Sequence, residues 1–121
     1  MTKREDVFQL GNIVKVVNPN NSVGYMAVEN HYKHVKDENL FLQGLFIDFD
    51  NQHWAIGHFD ENFVYGDEVW YEKIIGYAKA SERMNKVIHD IYENMSTDWD
   101  KVYDLYDEVK KYVEENLIEI A

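Results

Sequence analysis

The fold is decided by residues 13–28, which read IVKVVNPNNSVGYMAV. Two segments rich in β-branched and apolar residues, 13–17 and 23–28, flank five turn formers at 18–22. Proline presets the backbone for a turn, and asparagine and serine side chains hydrogen-bond to nearby backbone groups. The pattern therefore predicts an antiparallel β-hairpin.

Further strand signals follow this hairpin. Leu40-Phe41-Leu42 leads into a second predicted pair, 45–49 and 53–59, around a turn at residues 50–52. Because side chains alternate along a strand, a two-residue turn places acids on one face and apolar residues on the other. The polar face then carries Asp48, Asp50 and His53, and the apolar face Leu45, Ile47, Phe49, Trp54 and Ile56. A last strand is predicted at 69–75, after a turn at 65–67. Five or six short strands predict a curled antiparallel sheet or a small barrel of the SH3 or OB type.

The hydrophobic period changes from two residues to 3.6 after residue 76. Apolar residues at three- and four-residue steps from Tyr77 to Met95 predict a first helix, which ends at Ser96-Thr97. The segment Thr97-x-x-Asp100 resembles a capping box and predicts a second helix from about residue 98 to 119. Its apolar stripe covers about half of the circumference. Such width predicts two neighbours, either the first helix and the sheet or a second subunit.

These signals place the chain in the α+β class. Its 121 residues fit one domain, 1–121, with a sheet part over 7–76 and a C-terminal two-helix hairpin over 78–119. Since cysteine is absent, disulfides and thiolate zinc sites are excluded. Residues 1–8 carry charge with no apolar segment behind them, and no apolar run approaches the ~20 residues of a membrane-spanning helix. A cytoplasmic protein is therefore expected, in the host cell cytoplasm if a phage encodes it.

The chain is strongly acidic, with a formal net charge of −11. Such a charge repels phosphate backbones and anionic membranes. We therefore expect a protein partner with a basic surface, and neither direct nucleic-acid binding nor membrane binding. The charge is also segregated, because residues 37–72 contain nine acids and nine aromatic residues but no lysine or arginine.

A second acidic surface is predicted on the last helix, opposite its apolar stripe. It consists of Asp100, Asp104, Asp107, Glu108, Glu114 and Glu115, with Lys111 among them. Like charges at i,i+4 spacing destabilise a helix by a few tenths of a kcal/mol. The acids then either bind a partner or only keep a solvated surface soluble. The residues predicted to contact the partner are Asp48, Asp50, Asp60, Glu61, Asp67, Glu68, Asp100, Asp104, Asp107, Glu108 and Glu115.

Carboxylates spread over a rigid scaffold, with aromatics between them, imitate a nucleic-acid backbone and fit a basic channel built for phosphates. In this respect the chain resembles the acidic DNA-mimic proteins with which phages block host restriction and related defences. The resemblance is one of type and covers the 37–72 block and the last helix. It implies an inhibitor of a nucleic-acid-handling or defence protein. The abundance of Asn, Lys, Tyr and Ile, with only two arginines, indicates an AT-rich genome such as that of a low-GC bacterium or its phage.

No metal site, cofactor or catalytic motif is predicted. His53 and His58 are five residues apart and point to opposite faces of a regular strand, as do His31 and His34 at odd spacing. The segment that begins at Asp48 lacks the glycine and the glutamate of a calcium loop. Gly-rich phosphate loops, a nucleophilic serine elbow and cysteine are missing too.

The sequence thus favours a small acidic protein-binding inhibitor or regulator, acting as a monomer or as a homodimer through the last helix. The first alternative is a housekeeping or structural interaction module. The second alternative is an enzyme with an unrecognised pair of catalytic carboxylates.

Overall fold

The computed structural model describes residues 2–33, 40–48 and 55–120, with side chains for 2–29, 47 and 59–120. The elements follow in chain order: α1 (Arg4–Val7), β1 (Ile13–Val17), β2 (Val23–Lys33), β3 (Leu40–Asp48), β4 (Ala55–Phe59), β5 (Val64–Gly66), β6 (Tyr71–Ala78), α2 (Glu82–Asn94), α3 (Trp99–Glu115) and β7 (Ile118–Glu119). Strands come first and the two long helices second, so the predicted α+β fold is confirmed.

The strands form one antiparallel sheet in the order β4-β3-β2-β1-β6-β5, and β7 also pairs with β6. Each neighbour in this order is also a neighbour in the chain, except that β1 pairs with β6. The two ends of the order, β4 and β5, are joined by the four residues 60–63. This short connection brings the sheet's ends towards one another, which gives the curled half-barrel.

Two irregularities in strand pairing help to curl the sheet. The β1–β6 register shifts between Lys15 and Val16, and the β2–β3 register shifts between Val28 and Asn30. Such bulges bend a strand and increase its twist. The second bulge lies at Glu29, whose carboxylate accepts a hydrogen bond from the hydroxyl of Tyr92 on α2. The bulge thus ties the sheet to the first long helix.

The sheet buries both of its faces in two separate cores. One core lies between the sheet and the two helices, and the other lies inside the curl, where α1 closes it. The first contains Ile13, Tyr25, Ala27, Ile47, Ala78, Met84, Val87, Ile88, Ile91, Val102, Tyr106, Val109 and Val113. The second contains Val7, Phe8, Val14, Val16, Met26, Val28, Phe59, Phe63, Ile74 and Tyr77. Since β2 contributes to both cores, its run Tyr25-Met26-Ala27-Val28 is buried throughout.

Each of the two long helices begins directly after a residue whose side chain caps it. Ser81 caps α2 by accepting a hydrogen bond from the Met84 N–H at 3.0 Å. Asp98 caps α3 by accepting from the Lys101 N–H at 3.1 Å. The predicted cap at Thr97 is therefore wrong by one residue, because the Asp98 carboxylate takes the acceptor role. None of the helices in the described ranges is long and apolar enough to cross a membrane.

The C-terminal end differs most from the sequence prediction. The last helix ends at Glu115, not near 119, and Ile118–Glu119 pairs with β6 instead. The Ile120 N–H donates to the Ile75 carbonyl at 3.1 Å, which extends this pairing. Backbone hydrogen bonds along the open edge of β6 replace those of a further helical turn, so the helical pair does not extend to 119.

Three further boundaries differ from the prediction. The first long helix begins at Glu82 rather than at 77 or 78, because those two residues pair with β1 as the end of β6. Residues 64–66, which overlap the predicted turn at 65–67, form the short strand β5, and β6 begins at Tyr71 rather than at 69. The turn therefore lies at 67–70 and places Val69 and Trp70 outside the strand. The short helix α1 was not predicted, since four residues are too few for a periodic apolar pattern.

Candidate protein-binding surfaces

The apolar stripe of α3 is wider than the surface that the domain buries. Val102, Tyr106 and Val109 are buried against α2 and the sheet. Trp99 and Tyr103, on the edge of the same stripe, remain 40% and 47% exposed. The two neighbours predicted for this stripe, α2 and the sheet, thus cover only part of it.

The exposed aromatics are in contact with the core through a chain of rings. The ring centroids of Trp99 and Tyr103 are 6.1 Å apart, and those of Tyr103 and Tyr106 are 6.0 Å apart in an edge-on arrangement. Because Tyr106 is 4% exposed, one end of the chain is fixed in the core. Aromatic pairs of this geometry add about 0.5–1.5 kcal/mol beyond the area that they bury. Trp99 and Tyr103 are therefore exposed aromatic side chains that the core holds in place through Tyr106.

Three aspartates lie next to these two aromatic residues on the surface of the helix. At about 100° per residue, Trp99, Tyr103, Asp107, Asp100 and Asp104 follow one another around roughly 140° of the helix. All five side chains are exposed. Lys110 and Lys111 fall on the same arc about one turn after Asp107, but no ion pair with the three aspartates occurs among the described residues. We call these five residues the acidic–aromatic face of α3.

The other predicted acids of α3 lie in different surroundings. Glu108 accepts from Arg83 on α2 at 2.7 Å from Nε, and Nη2 of the same arginine lies 2.6 Å away. Both arginine nitrogens contact the same oxygen, Oε1 of Glu108, and this ion pair links the two helices. Glu115 is exposed near the helix end. Its neighbour Glu114, predicted on the same acidic surface but not as a partner contact, accepts from Lys15 and Tyr25, and these hydrogen bonds lower the pKa of its carboxyl.

Asp67 and Glu68 lie in the turn between β5 and β6. Asp67 Oδ1 accepts hydrogen bonds from the N–H groups of Val69 and Trp70, both at 2.8 Å. The bonds from Trp70 and Val69 lower the pKa of this carboxyl below its ordinary value. Val69 is 85% exposed and Trp70 50% exposed. We call residues 65–70 the β5–β6 tip.

Asp60 and Glu61 lie in the connection between β4 and β5. Asp60 Oδ1 accepts from the N–H groups of Asn62 at 2.8 Å and Val64 at 3.1 Å. These bonds help to hold Phe63 at a φ of 62°, with its side chain buried in the second core. Glu61 is exposed. Asp60, like Asp67, thus shapes a turn, and its predicted contact with a partner stays a prediction.

Asp48 is the last residue of β3, and its side chain lies outside the described residues, as does all of Asp50. The side chains of His31, His34, His53 and His58 also lie outside them. Across the described part of the chain, no three His, Asp or Glu side chains form a group that could hold a metal ion. His89 is exposed and lies 3.0 Å from Glu93 one turn along α2.

A cleft of about 430 Å³ lies between the 60–63 connection and the C-terminal strand. Among its lining residues are Phe63, Ile74 and Ile120, with Glu61 and Lys73 as the charged groups.

Sequence reasoning did not single out Val69 and Trp70, because the segment was predicted as strand. The signal that could have found them is Gly66-Asp67, a glycine followed by a residue whose side chain accepts from the backbone two residues on. On the α3 stripe, Tyr103 is exposed and Tyr112 is partly buried. The Tyr112 hydroxyl donates to the Lys79 carbonyl at 2.8 Å, so it makes a contact within the domain.

No protein-family model matches the chain. Searches of the curated proteins and of the solved structures find no match either. Function is therefore inferred from the geometry of this chain alone.

Proposed function

We propose that this protein inhibits or regulates a protein that has a basic surface, and that it binds this surface through the acidic–aromatic face of α3. One observation carries the proposal: Trp99 and Tyr103 are exposed, in ring contact and bordered by Asp100, Asp104 and Asp107. Tryptophan and tyrosine are enriched among the residues that dominate binding energy at interfaces.

The three aspartates supply what the aromatics lack, which is selectivity for charge. Acids around an apolar contact steer a basic partner during its approach and disfavour acidic ones. Asp100 and Asp104 are like charges at i,i+4 spacing and repel one another by a few tenths of a kcal/mol. A partner that supplies lysine or arginine would relieve this repulsion.

The same charges disfavour a homodimer through this face. A two-fold interface places the same patch of both copies together. The aspartates of one copy would then lie close to those of the other, and like charges at an interface are unfavourable. We therefore favour a monomer that binds a different protein.

The partner class that we favour is a nucleic-acid-handling or defence protein whose basic channel accepts phosphates. The carboxylates would occupy positions that phosphates occupy otherwise, as in the DNA mimics that the chain resembles in type. A phage-encoded inhibitor would have this property.

A capture experiment with a competitor tests this proposal. The tagged protein is incubated with a lysate of a low-GC bacterium, and bound proteins are eluted with duplex DNA. A matched pair of variants is tested in parallel: Asp100→Lys/Asp104→Lys/Asp107→Lys on α3, and Glu82→Lys/Glu93→Lys/Glu119→Lys elsewhere. Both sets change the net charge equally, and each includes one acid in the first turn of a helix.

The proposal predicts a protein that the parent and the Glu82/Glu93/Glu119 set retain, that the α3 set loses, and that duplex DNA displaces. Retention by all three proteins would contradict binding through α3. Retention that duplex DNA leaves unchanged would contradict the mimicry while keeping the protein-binding role.

A further inference from the structure

The β5–β6 tip exposes two large apolar side chains that contribute to neither core. Val69 is 85% exposed and Trp70 50%. Tyr65 is 42% exposed, but its ring lies 6.2 Å from that of Phe59 in the second core. Polar residues at 69 and 70 would form the same turn, because the turn is made by backbone groups and by Asp67.

The tip is rigid in spite of its exposure. Asp67 accepts from two backbone N–H groups, and its own N–H donates to the Trp70 carbonyl at 2.9 Å. Gly66 has a φ of +109°, and a Cβ there would lie 2.9 Å from the Tyr71 Cα. A residue with a side chain is therefore strained at this position. A binding element ordered in advance loses less entropy on association.

The charge around the tip indicates what it fits. Asp67 and Glu68 are part of it, and Glu72 pairs with Tyr65 across the two strands. The sequence has no lysine or arginine from 37 to 72. A second acidic copy, a nucleic acid or an anionic membrane would each be repelled. A protein pocket with an apolar floor and a basic rim complements both the side chains and the charge.

We propose that the β5–β6 tip is a second contact element, which inserts Val69 and Trp70 into an apolar pocket rimmed by lysine or arginine on the partner protein. The inference rests on the proposed binding of a basic protein but concerns a different surface from α3. Trp70 supplies the buried contact area, and Glu68 faces the rim. The tip and α3 then contribute separately to one complex.

Photo-crosslinking tests this assignment. The photoreactive amino acid p-benzoylphenylalanine replaces Val69, Tyr103 or Leu10 in three separate proteins. Leu10 is the control, because it is 59% exposed in the loop after α1. Each protein is irradiated in the bacterial lysate, and the adducts are mapped by mass spectrometry. The protein found at position 69 is then purified, and its affinity is measured for Trp70→Ala, Val69→Asp and Leu10→Asp.

We expect an adduct at position 69, but not at 10, with a partner segment that contains apolar residues beside lysine or arginine. Trp70→Ala and Val69→Asp should each weaken binding roughly tenfold or more, whereas Leu10→Asp should bind like the parent. The melting temperature of Val69→Asp should match that of the parent, since the side chain is exposed.

Adducts at 69 with a second copy, a lipid or a nucleic acid would overturn the assignment, and so would parent-like affinity of Trp70→Ala. An adduct at 103 without one at 69 would remove the tip from the interface and leave the α3 proposal standing. Absence of adducts at both positions would contradict the two proposals together.

Discussion

Asp67 and Trp70 exchange two hydrogen bonds across the β5–β6 turn. The Trp70 N–H donates to Asp67 Oδ1 at 2.8 Å, and the Asp67 N–H donates to the Trp70 carbonyl at 2.9 Å. One acidic side chain therefore fixes the backbone that presents Trp70. Its carboxylate serves the local fold, and its charge adds to those of the exposed Glu68 and the half-buried Glu72 beside the turn.

Asp67→Ala should loosen the tip without unfolding the domain. The amides of Val69 and Trp70 lose their acceptor, so their hydrogen exchange, measured by NMR, should accelerate roughly severalfold. Glu68→Ala is the control, because Glu68 is exposed in the same turn. Equal exchange rates in both variants would show that the carboxylate does not order the turn.

The same tip should respond to acid. Hydrogen bonds from Trp70 and Val69 lower the pKa of Asp67, so the folded tip favours the ionised carboxylate. Its stabilising effect is complete above the ordinary aspartate pKa and is lost as the pH falls through the lowered value. Protection of the two amides should therefore persist at neutral pH and fall only below pH ~4.

Glu114→Gln should destabilise the domain by about 1 kcal/mol at neutral pH. The carboxylate lies 2.6 Å from Lys15 Nζ and accepts from the Tyr25 hydroxyl, which joins the end of α3 to β1 and β2. The hydrogen bonds from Lys15 and Tyr25 lower the pKa of Glu114, so this contribution disappears as the pH falls through that lowered value. Urea unfolding at neutral and acidic pH measures it, with the exposed Glu115→Gln as control. A loss that is equal for both variants would contradict the pairing.

Glu72→Gln should have the opposite effect. Burial raises the pKa of Glu72, so folding disfavours the ionised form. The resulting loss in the free energy of unfolding is complete when the pH is above the pKa of Glu72 in the folded state. It is absent when the pH is below the pKa in the unfolded state. The neutral glutamine should therefore raise the melting temperature at pH 7 and leave it unchanged near pH 3. A lower melting temperature at pH 7 would show that the ionised carboxylate is stabilised by a contact.

The sequence predicts the fold well where one pattern acts locally. Ile13–Val17 is found with the predicted bounds, because β-branched residues beside a turn signal suit a pleated strand. The two long helices follow from their 3.6-residue period. In contrast, β7 depends on the open edge of β6, more than forty residues earlier in the chain, and residues 117–120 alone do not show this.

The candidate sites were predicted in part for a similar reason. Acidic composition marks Asp60, Asp67 and Glu108 as surface residues, but it does not distinguish a turn-capping carboxylate from one that faces solvent alone. To make that distinction one must know which backbone N–H groups between residues 62 and 70 donate to Asp60 and Asp67, and that Arg83 lies beside Glu108. Periodicity identified the wide stripe on α3, whereas its exposed edge depends on how much α2 and the sheet cover.

The purified protein should not retain duplex DNA or RNA in a gel-shift at moderate salt. A protein gains much of its affinity for nucleic acid when its lysine and arginine side chains neutralise phosphates and release the condensed counterions into solution. This chain carries 12 basic side chains against 23 acids. Retention that weakens steeply with added salt would mean that phosphates are bound directly, and would contradict the proposed partner class.

The central claim is that the acids of α3 serve binding more than folding. Exposed carboxylates contribute little to stability, and charges at the rim of an interface act mainly on the association rate. Asp100→Lys/Asp104→Lys/Asp107→Lys should therefore melt within a few degrees of the parent. Lysine in the first turn of the helix destabilises it by about 0.3–1 kcal/mol, and Glu82→Lys in the control set reproduces that effect.

The most direct measurement is the association rate of the captured partner with the parent and both charge-reversal sets, over a series of salt concentrations. We predict that the α3 set associates roughly tenfold more slowly or worse, and that the Glu82/Glu93/Glu119 set stays close to the parent. Parent association should also slow as salt is added, since screening shortens to about 8 Å at physiological ionic strength. If the folded α3 set matches the parent in rate, affinity and salt dependence, the acidic–aromatic face of α3 only keeps the protein soluble, and the claim is wrong.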